Sequence, residues 1–215
     1  MDKYKIAIVI PAFNEEATIY DVVQSVKEYG SVIVANDAST DRTKQIAEDA
    51  GAVVISHKEN KGYDGALNSG FLKAEELNCN AIITFDADGQ HSAESIEEYI
   101  NELHGGVDLV LGVRPKPARI SEKLFMYYSR YRFNWNDPLC GMKGYSMKLY
   151  RKRGYFDSRN SIGTELAAYG LENNFSHTQI KIAIAQRQDR PRFSSVFMSN
   201  LKIMKALFDL MAKRP

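Results

Sequence analysis

The strongest constraint on the fold is an alternation. Short apolar runs at 6–10, 32–35, 52–56, 81–85 and 107–113 are separated by stretches whose apolar residues recur at helical spacing. Ile19, Val22, Val23 and Val26 set the pattern before Gly30, and Ile96, Tyr99, Ile100 and Leu103 repeat it. Apolar strands interleaved with amphipathic helices predict an α/β fold with a doubly wound, mostly parallel sheet, because crossover helices cover both faces of such strands. A chain of 215 residues is long enough to give that sheet one sizeable core.

Beyond Val113 the regularity weakens. Residues 114–137 are rich in Arg and aromatics, with a helix predicted over 121–132. A helix over about 162–172 carries Glu165, and Ile180, Ile182 and Ile184 alternate with other residues as in a half-buried edge strand. A last helix is predicted from about 195 to 211. There are no repeats and no Pro/Gly-rich linker, so the chain reads as one domain over 1–192 followed by an amphipathic helix over 193–215. In that segment Phe193, Val196, Phe197, Leu201, Met204, Leu207, Phe208 and Met211 recur at three- and four-residue intervals, with Lys202, Lys205 and Lys213 between or beyond them. Such a stripe either packs on the sheet or lies in a membrane interface, its cations on anionic headgroups.

Charge narrows the function. Lys plus Arg of 28 against Asp plus Glu of 27 gives a net charge of +1, so no global field points to nucleic acid. Basic residues concentrate after Arg187. Cys79 and Cys140 are isolated, which predicts reduced thiols in a cytoplasmic protein. No apolar run approaches the length of a membrane span.

The chemistry centres on AIITFDADGQH, residues 81–91, where the fourth apolar run stops at Asp86 and Asp88. Taken alone, these residues also suit a solvated turn. In an open α/β sheet, however, ligands bind at the carboxyl edge, and two carboxylates there repel unless a cation lies between them. A hard divalent ion, Mg²⁺ or Mn²⁺, suits two such oxygens. Glu15 and Glu16 follow the first run and Asp37 the second, so three loops bring acids to one edge. No GxGxxG follows the first run and no GxxxxGK[ST] occurs, which disfavours dinucleotide and P-loop sites. What remains is a nucleotide held by carboxylates and a metal.

Five segments extend this reading: IVIPAFNEEATI, ANDASTDRT, NKGYDGALNSGF, FDADGQH and DPLCGMKGY. In that order they resemble the motifs of the inverting family 2 glycosyltransferases of the GT-A fold, over about 6–192. DADGQH followed by Ser-Ala-Glu is most similar to the polyprenyl-phosphate sugar transferases, such as dolichyl-phosphate mannose and glucose synthases. The resemblance implies a nucleoside-diphosphate sugar donor and a polyprenyl-phosphate or saccharide acceptor. Pro11, Phe13 and Glu15 would line the nucleotide pocket and Asp37 would contact base or ribose. Asp86, Asp88 and Gln90 would hold the metal, with the Ala87 backbone alongside. Asp64, standing where the family has a small residue, falls beside the donor. Arg114, Arg190 and Arg192 are candidates for the diphosphate, since guanidinium binds phosphate oxygens in bidentate fashion. Asp137 and Glu165 are the acids considered for the acceptor side, where a hydroxyl acceptor would need a general base. His57, His104 and His177 have no partner pattern, and His91 sits beside the metal loop.

Three positions depart from the family: Asn36 replaces the first Asp of an Asp-Asp pair, Ala38 a loop glycine, and Asp64 a small residue. The C-terminal membrane helices common among the polyprenyl-phosphate enzymes have no counterpart in this sequence. A nucleotidyltransferase, or a nucleotide-sugar-binding protein without turnover, would share the same α/β site, and peripheral membrane contact would follow from the C-terminal stripe.

Overall fold

The computed structural model describes residues 4–89, 93–115, 120–183 and 196–212, with backbone alone for 196–199. Gln90, His91, Arg190, Arg192 and Phe193 lie outside the described residues, as does Ile184 of the expected edge strand. In chain order the elements are β1 (Ile6–Ala12), α1 (Ile19–Val26), β2 (Ser31–Asn36), α2 (Thr43–Asp49), β3 (Val53–Ser56), α3 (Gly62–Glu76), β4 (Ala81–Thr84) and α4 (Ser95–His104). They continue with β5 (Leu109–Val113), α5 (Ile120–Phe133), β6 (Lys143–Ser146), α6 (Met147–Arg153), α7 (Glu165–Glu172), β7 (His177–Lys181) and α8 (Val196–Ala212).

The strands form a seven-stranded sheet in the order β3-β2-β1-β4-β6-β5-β7. All pairings are parallel except those of β6, which runs antiparallel to both β4 and β5. Along β1, alternate side chains go to opposite faces. Ile6, Ile8 and Ile10 meet α1, α2 and α4 in one core, while Ala7 and Val9 meet α3, α5, α7 and α8 in the other. This is the doubly wound, mostly parallel arrangement that the alternation predicts.

Neither β6 nor α6 follows from periodicity. β6 is four residues long and includes a lysine and a glycine, so it carries no strand signature of its own. It forms because its neighbours supply partners: the Thr84 hydroxyl accepts from the Lys143 amide at 3.0 Å, and Asp108 O accepts from the Ser146 amide at 2.8 Å. Ser146 then caps α6 by accepting the Leu149 amide at 3.1 Å, and Gly154, at φ +89°, ends that helix in the left-handed region.

Helix α8 packs on the fold. Ile203, Ala206, Leu207 and Leu210 are buried in the second core. Burying a Leu or Ile side chain contributes about 1.5–3 kcal/mol, so these residues hold the helix to the second core, beside α5. Of the stripe expected from the sequence, Leu207 shares that buried face, whereas Leu201, Phe208 and Met211 are exposed. Among the described residues no helix is long and apolar enough to cross a membrane.

Candidate active site

The parallel strands β1, β2 and β4 end side by side, and the loops that follow wall a cavity of about 360 Å³. Its lining brings together Pro11 at the end of β1, Phe13 and Glu15 from the loop that follows, Asp37 after β2, and Asp86, Ala87 and Asp88 after β4. All seven are residues that the sequence places at a donor site. Ala12 of β1, Asn60 just before α3, Gly62, Tyr63 and Ala66 of α3 and Lys202 of α8 complete the wall. A second cavity, about 590 Å³, adjoins it and shares Gly62, Tyr63, Asp86 and Lys202. Asp64, Leu139, Gly141, Asn160, Ile162 and Lys205 line the rest of it.

Asp37 is buried and its carboxylate is fully engaged. Oδ1 accepts the Lys61 amide at 2.7 Å and Oδ2 the Gly62 amide at 2.8 Å, so an acid sits at the positive end of α3. His57 Nδ1 lies 2.7 Å from Oδ1, and its Nε2 lies 2.8 Å from the Ser69 hydroxyl. The sequence shows no partner pattern for His57; the partner follows from the sheet register, since β2 and β3 pair in parallel with Asn36 opposite Ser56 and the next residue after each is Asp37 and His57. Asp37→Ala is expected to cost about 1–3 kcal/mol of stability, the penalty for stranding buried donors, measured by urea unfolding. An unchanged midpoint would remove Asp37 from this framework.

Glu15 is also buried, and the Thr18 hydroxyl beside it donates to Ala87 O at 2.8 Å, tying the first loop to the fourth. On the opposite side Gly141 makes room for Asp86: a Cβ at 141 would lie 2.1 Å from Asp86 Oδ2. Tyr63 reaches Asp86 Oδ1 at 3.4 Å, and burial, with the charges of Asp86 and Asp64 adding to it, holds the phenol well above its ordinary pKa. Lys143 lies beneath, donating to Cys140 O at 2.5 Å, and burial lowers its pKa. Burial likewise pushes the Cys140 thiol up to about 12, which keeps it protonated and inert.

Other expected residues lie elsewhere. Asp64 borders the second cavity and not the first, and its oxygens accept the amides of Ile162 at 3.0 Å and Gly163 at 2.6 Å. Both of those residues are in the left-handed region, at φ +57° and +68°, a strained conformation for a β-branched side chain that the carboxylate helps hold. Arg114 is spent on Asp137, donating from Nε to Oδ2 at 2.7 Å and from Nη2 to Oδ1 at 2.9 Å. Burial opposes the Arg114 charge, but Asp137 outweighs it and keeps the guanidinium above its ordinary pKa. Glu165 takes Arg153 Nη2 at 2.6 Å and the Ser158 amide at 2.7 Å. Among the described residues, Arg114, Asp137 and Glu165 line neither of the two cavities.

Asp64 gives a pH prediction. Burial, with the Asp157 charge adding to it, raises its carboxyl from 3.8 to about 6 against the two amides. Because the folded value is the higher one, its contribution to stability is complete below the unfolded pKa and is lost as pH rises through 6. The stability of the wild type relative to Asp64→Asn should therefore fall by roughly 2–3 kcal/mol between about pH 4 and pH 7, by urea unfolding. A difference that stays flat across this window would contradict it.

Known proteins resemble this chain in sequence and in fold. The family model for glycosyl transferase family 2 matches residues 7–162. An uncharacterized protein of Methanocaldococcus jannaschii is 38% identical over 204 residues, covering 92% of this chain and 76% of that one. The UDP-N-acetylglucosamine–dolichyl-phosphate N-acetylglucosaminyltransferase of Methanococcus voltae is 34% identical over 131 residues, and the match spans 52% of either protein. In fold, the chain is similar to glucosyl-3-phosphoglycerate synthase from Mycobacterium tuberculosis, solved with Mn²⁺, UDP and phosphoglyceric acid. The TM-score is 0.75 at 18% identity, covering 99% of this chain and 80% of that one. With the GT-A architecture, acids converging at the ends of β1, β2 and β4, and the family match across both, the chain belongs to glycosyl transferase family 2 and is a glycosyltransferase.

Proposed function

We propose that the first cavity takes a nucleoside-diphosphate sugar and that the second takes the phosphate of a polyprenyl-phosphate acceptor, the two meeting at Asp86. The observation that carries this reading is that the cavities are adjacent and share Asp86, Tyr63 and Lys202. Asp37, Pro11 and Phe13 border the nucleotide, and Asp37→Ala should weaken nucleoside diphosphate binding in calorimetry as well as stability.

Asp86 and Asp88 fit a divalent cation. No group of three or more His, Cys, Asp or Glu side chains encloses a metal ion among the described residues, so the two carboxylates would hold Mg²⁺ or Mn²⁺ together with the donor's phosphates, a common mode for these ions. The absence of a side chain at Gly141 leaves the Asp86 carboxylate its place against the loop, on the wall of both cavities. Such a cation supplies positive charge where the leaving diphosphate gains negative charge.

The state of the other acids supports a phosphate acceptor. Hydroxyl attack calls for a general base, yet Asp137 and Glu165 are each neutralised by an arginine. A phosphate oxygen is already anionic. It attacks the anomeric carbon, the carbon–oxygen bond to the diphosphate breaks, the electron pair leaves with the nucleoside diphosphate, and the configuration inverts. Lys202 and Lys205 line the second cavity and supply cations for the incoming phosphate.

The test is a panel of UDP-, GDP- and TDP-sugars scored for Mn²⁺-dependent thermal stabilisation, followed by transfer to a short-chain polyprenyl phosphate. A base-stable nucleotide product together with an acid-labile glycosyl phosphodiester is expected. No stabilisation by any donor, or transfer only to saccharide hydroxyls, would overturn the reading.

A further inference from the structure

Helix α5 presents a face that water does not explain. Ile120, Leu124, Tyr127 and Tyr131 are 78%, 51%, 78% and 85% exposed. Spaced by four, three and four residues, they form one stripe along the helix. Its other side, with Ser121, Phe125 and Ser129, is buried against the fold. Single exposed apolar residues need no explanation, whereas four in a row on one helix mark a surface that meets something.

The charges around the stripe narrow the partner. The exposed charged residues of α5 are Lys123, Arg130 and Arg132, and its one acid, Glu122, is buried with Arg114 3.8 Å away. Tyrosines with an apolar ring and a polar tip, flanked by cations, suit the boundary between acyl chains and anionic headgroups. A second copy of the chain, docked through this face about a two-fold axis, would set these cations against themselves.

The stripe also adjoins the site. α5 packs against α8, where the Ser121 hydroxyl donates to Asn200 Oδ1 at 2.6 Å, and α8 exposes Leu201, Phe208 and Met211 of its own. The same α8 carries Lys202 and Lys205 into the second cavity.

We infer that α5, with the outward residues of α8, is a docking face for an anionic lipid surface. The inference deepens the proposed lipid-phosphate acceptor and rests on that reading for its purpose. Bound at this face, the enzyme has a membrane-borne phosphate one helix away from Lys202 and Lys205.

Flotation of the full chain tests it, read without turnover. The wild type should float with vesicles of equimolar phosphatidylcholine and phosphatidylglycerol at low salt and be released at high salt. It should ignore vesicles of phosphatidylcholine alone. Tyr127→Ser/Tyr131→Ser should cut the bound fraction by about fivefold or more at an unchanged melting temperature, since both side chains are solvent-exposed. Lys123→Gln/Arg130→Gln/Arg132→Gln should cut it at low salt and abolish its salt dependence. Absence of wild-type flotation, or undiminished binding by the tyrosine variant, overturns the inference. So does a dimer in sedimentation that the tyrosine variant dissolves. Transfer to a short-chain, water-soluble polyprenyl phosphate separates this inference from the reading beneath it. If that transfer fails while flotation holds, the acceptor reading falls and the docking face stands; if it holds in the tyrosine variant while vesicle-borne acceptor is lost, both stand.

Discussion

Asp88→Asn is expected to lower sugar transfer by about a thousandfold while leaving the melting temperature almost unchanged. The carboxylate lies at the end of β4 on the wall of the first cavity and only partly out of solvent, so the fold depends little on its charge. Its proposed work is different: with Asp86 it makes the negative pair that holds a cation against the donor diphosphate. Asn keeps the shape and one oxygen but removes half of that charge. Steady-state rates at saturating donor, with Mn²⁺ titrated, should show both a lower kcat and a need for far more metal. Excess EDTA should bring the wild type down to a comparable level. Near-normal turnover by the variant, or by the wild type in EDTA, would exclude the two-carboxylate metal site.

Gly141→Ala is expected to cost about a hundredfold, the scale of misplacing a reacting group by roughly 1 Å. A methyl at 141 would sit 2.1 Å from Asp86 Oδ2 and 2.6 Å from its Cγ, closer than real Cβ contacts permit. Something must move. The loop is fixed, because Gly141 O accepts the Thr84 hydroxyl at 2.6 Å and the Lys143 amide is held by the same hydroxyl. The Asp86 side chain therefore yields, and it belongs to both cavities. Since Gly141 is not in the left-handed region, the substitution adds no backbone strain and probes sterics alone. A need for more Mn²⁺ with a melting temperature close to wild type is the expected signature. Wild-type turnover would show that Asp86 does not sit at the reacting centre.

Legibility in the sequence followed from how local each signal is. The strands β1, β2, β4 and β5 and their helices were readable because burial on both faces leaves an apolar run in the chain itself, and the edge strand β3 carries a similar run, VVI, though it is only partly buried. Pro11, Phe13, Glu15, Asp37, Asp86, Ala87 and Asp88 could be placed at one edge because each lies at or just after the end of such a strand. β6 could not be read, since its pairing partners are supplied by Thr84 and Asp108 far away in sequence. Tyr63 and Lys202 reach the cavity from helices, and nothing local distinguishes a lysine that lines a cavity from one that faces solvent. Arg114 and Asp137 were each visible as candidates, but their bidentate pairing depends on a fold that brings position 137 back to the end of β5. For α8 periodicity gave a stripe, while the buried face is rotated from it, with Ile203, Ala206 and Leu210 turned inward.

The antiparallel insertion of β6 also has a consequence for synthesis on the ribosome. β4 is complete at Thr84, yet the strand that covers its open edge starts at Lys143, and β5 joins the sheet only through β6. At typical elongation rates that interval lasts on the order of several seconds. Throughout it the nascent chain can assemble β3-β2-β1-β4 with the mostly apolar strand AIIT as an unpaired border. Such a border is a template for pairing with other chains, so the emerging polypeptide is a natural client for holdase chaperones until the second half arrives.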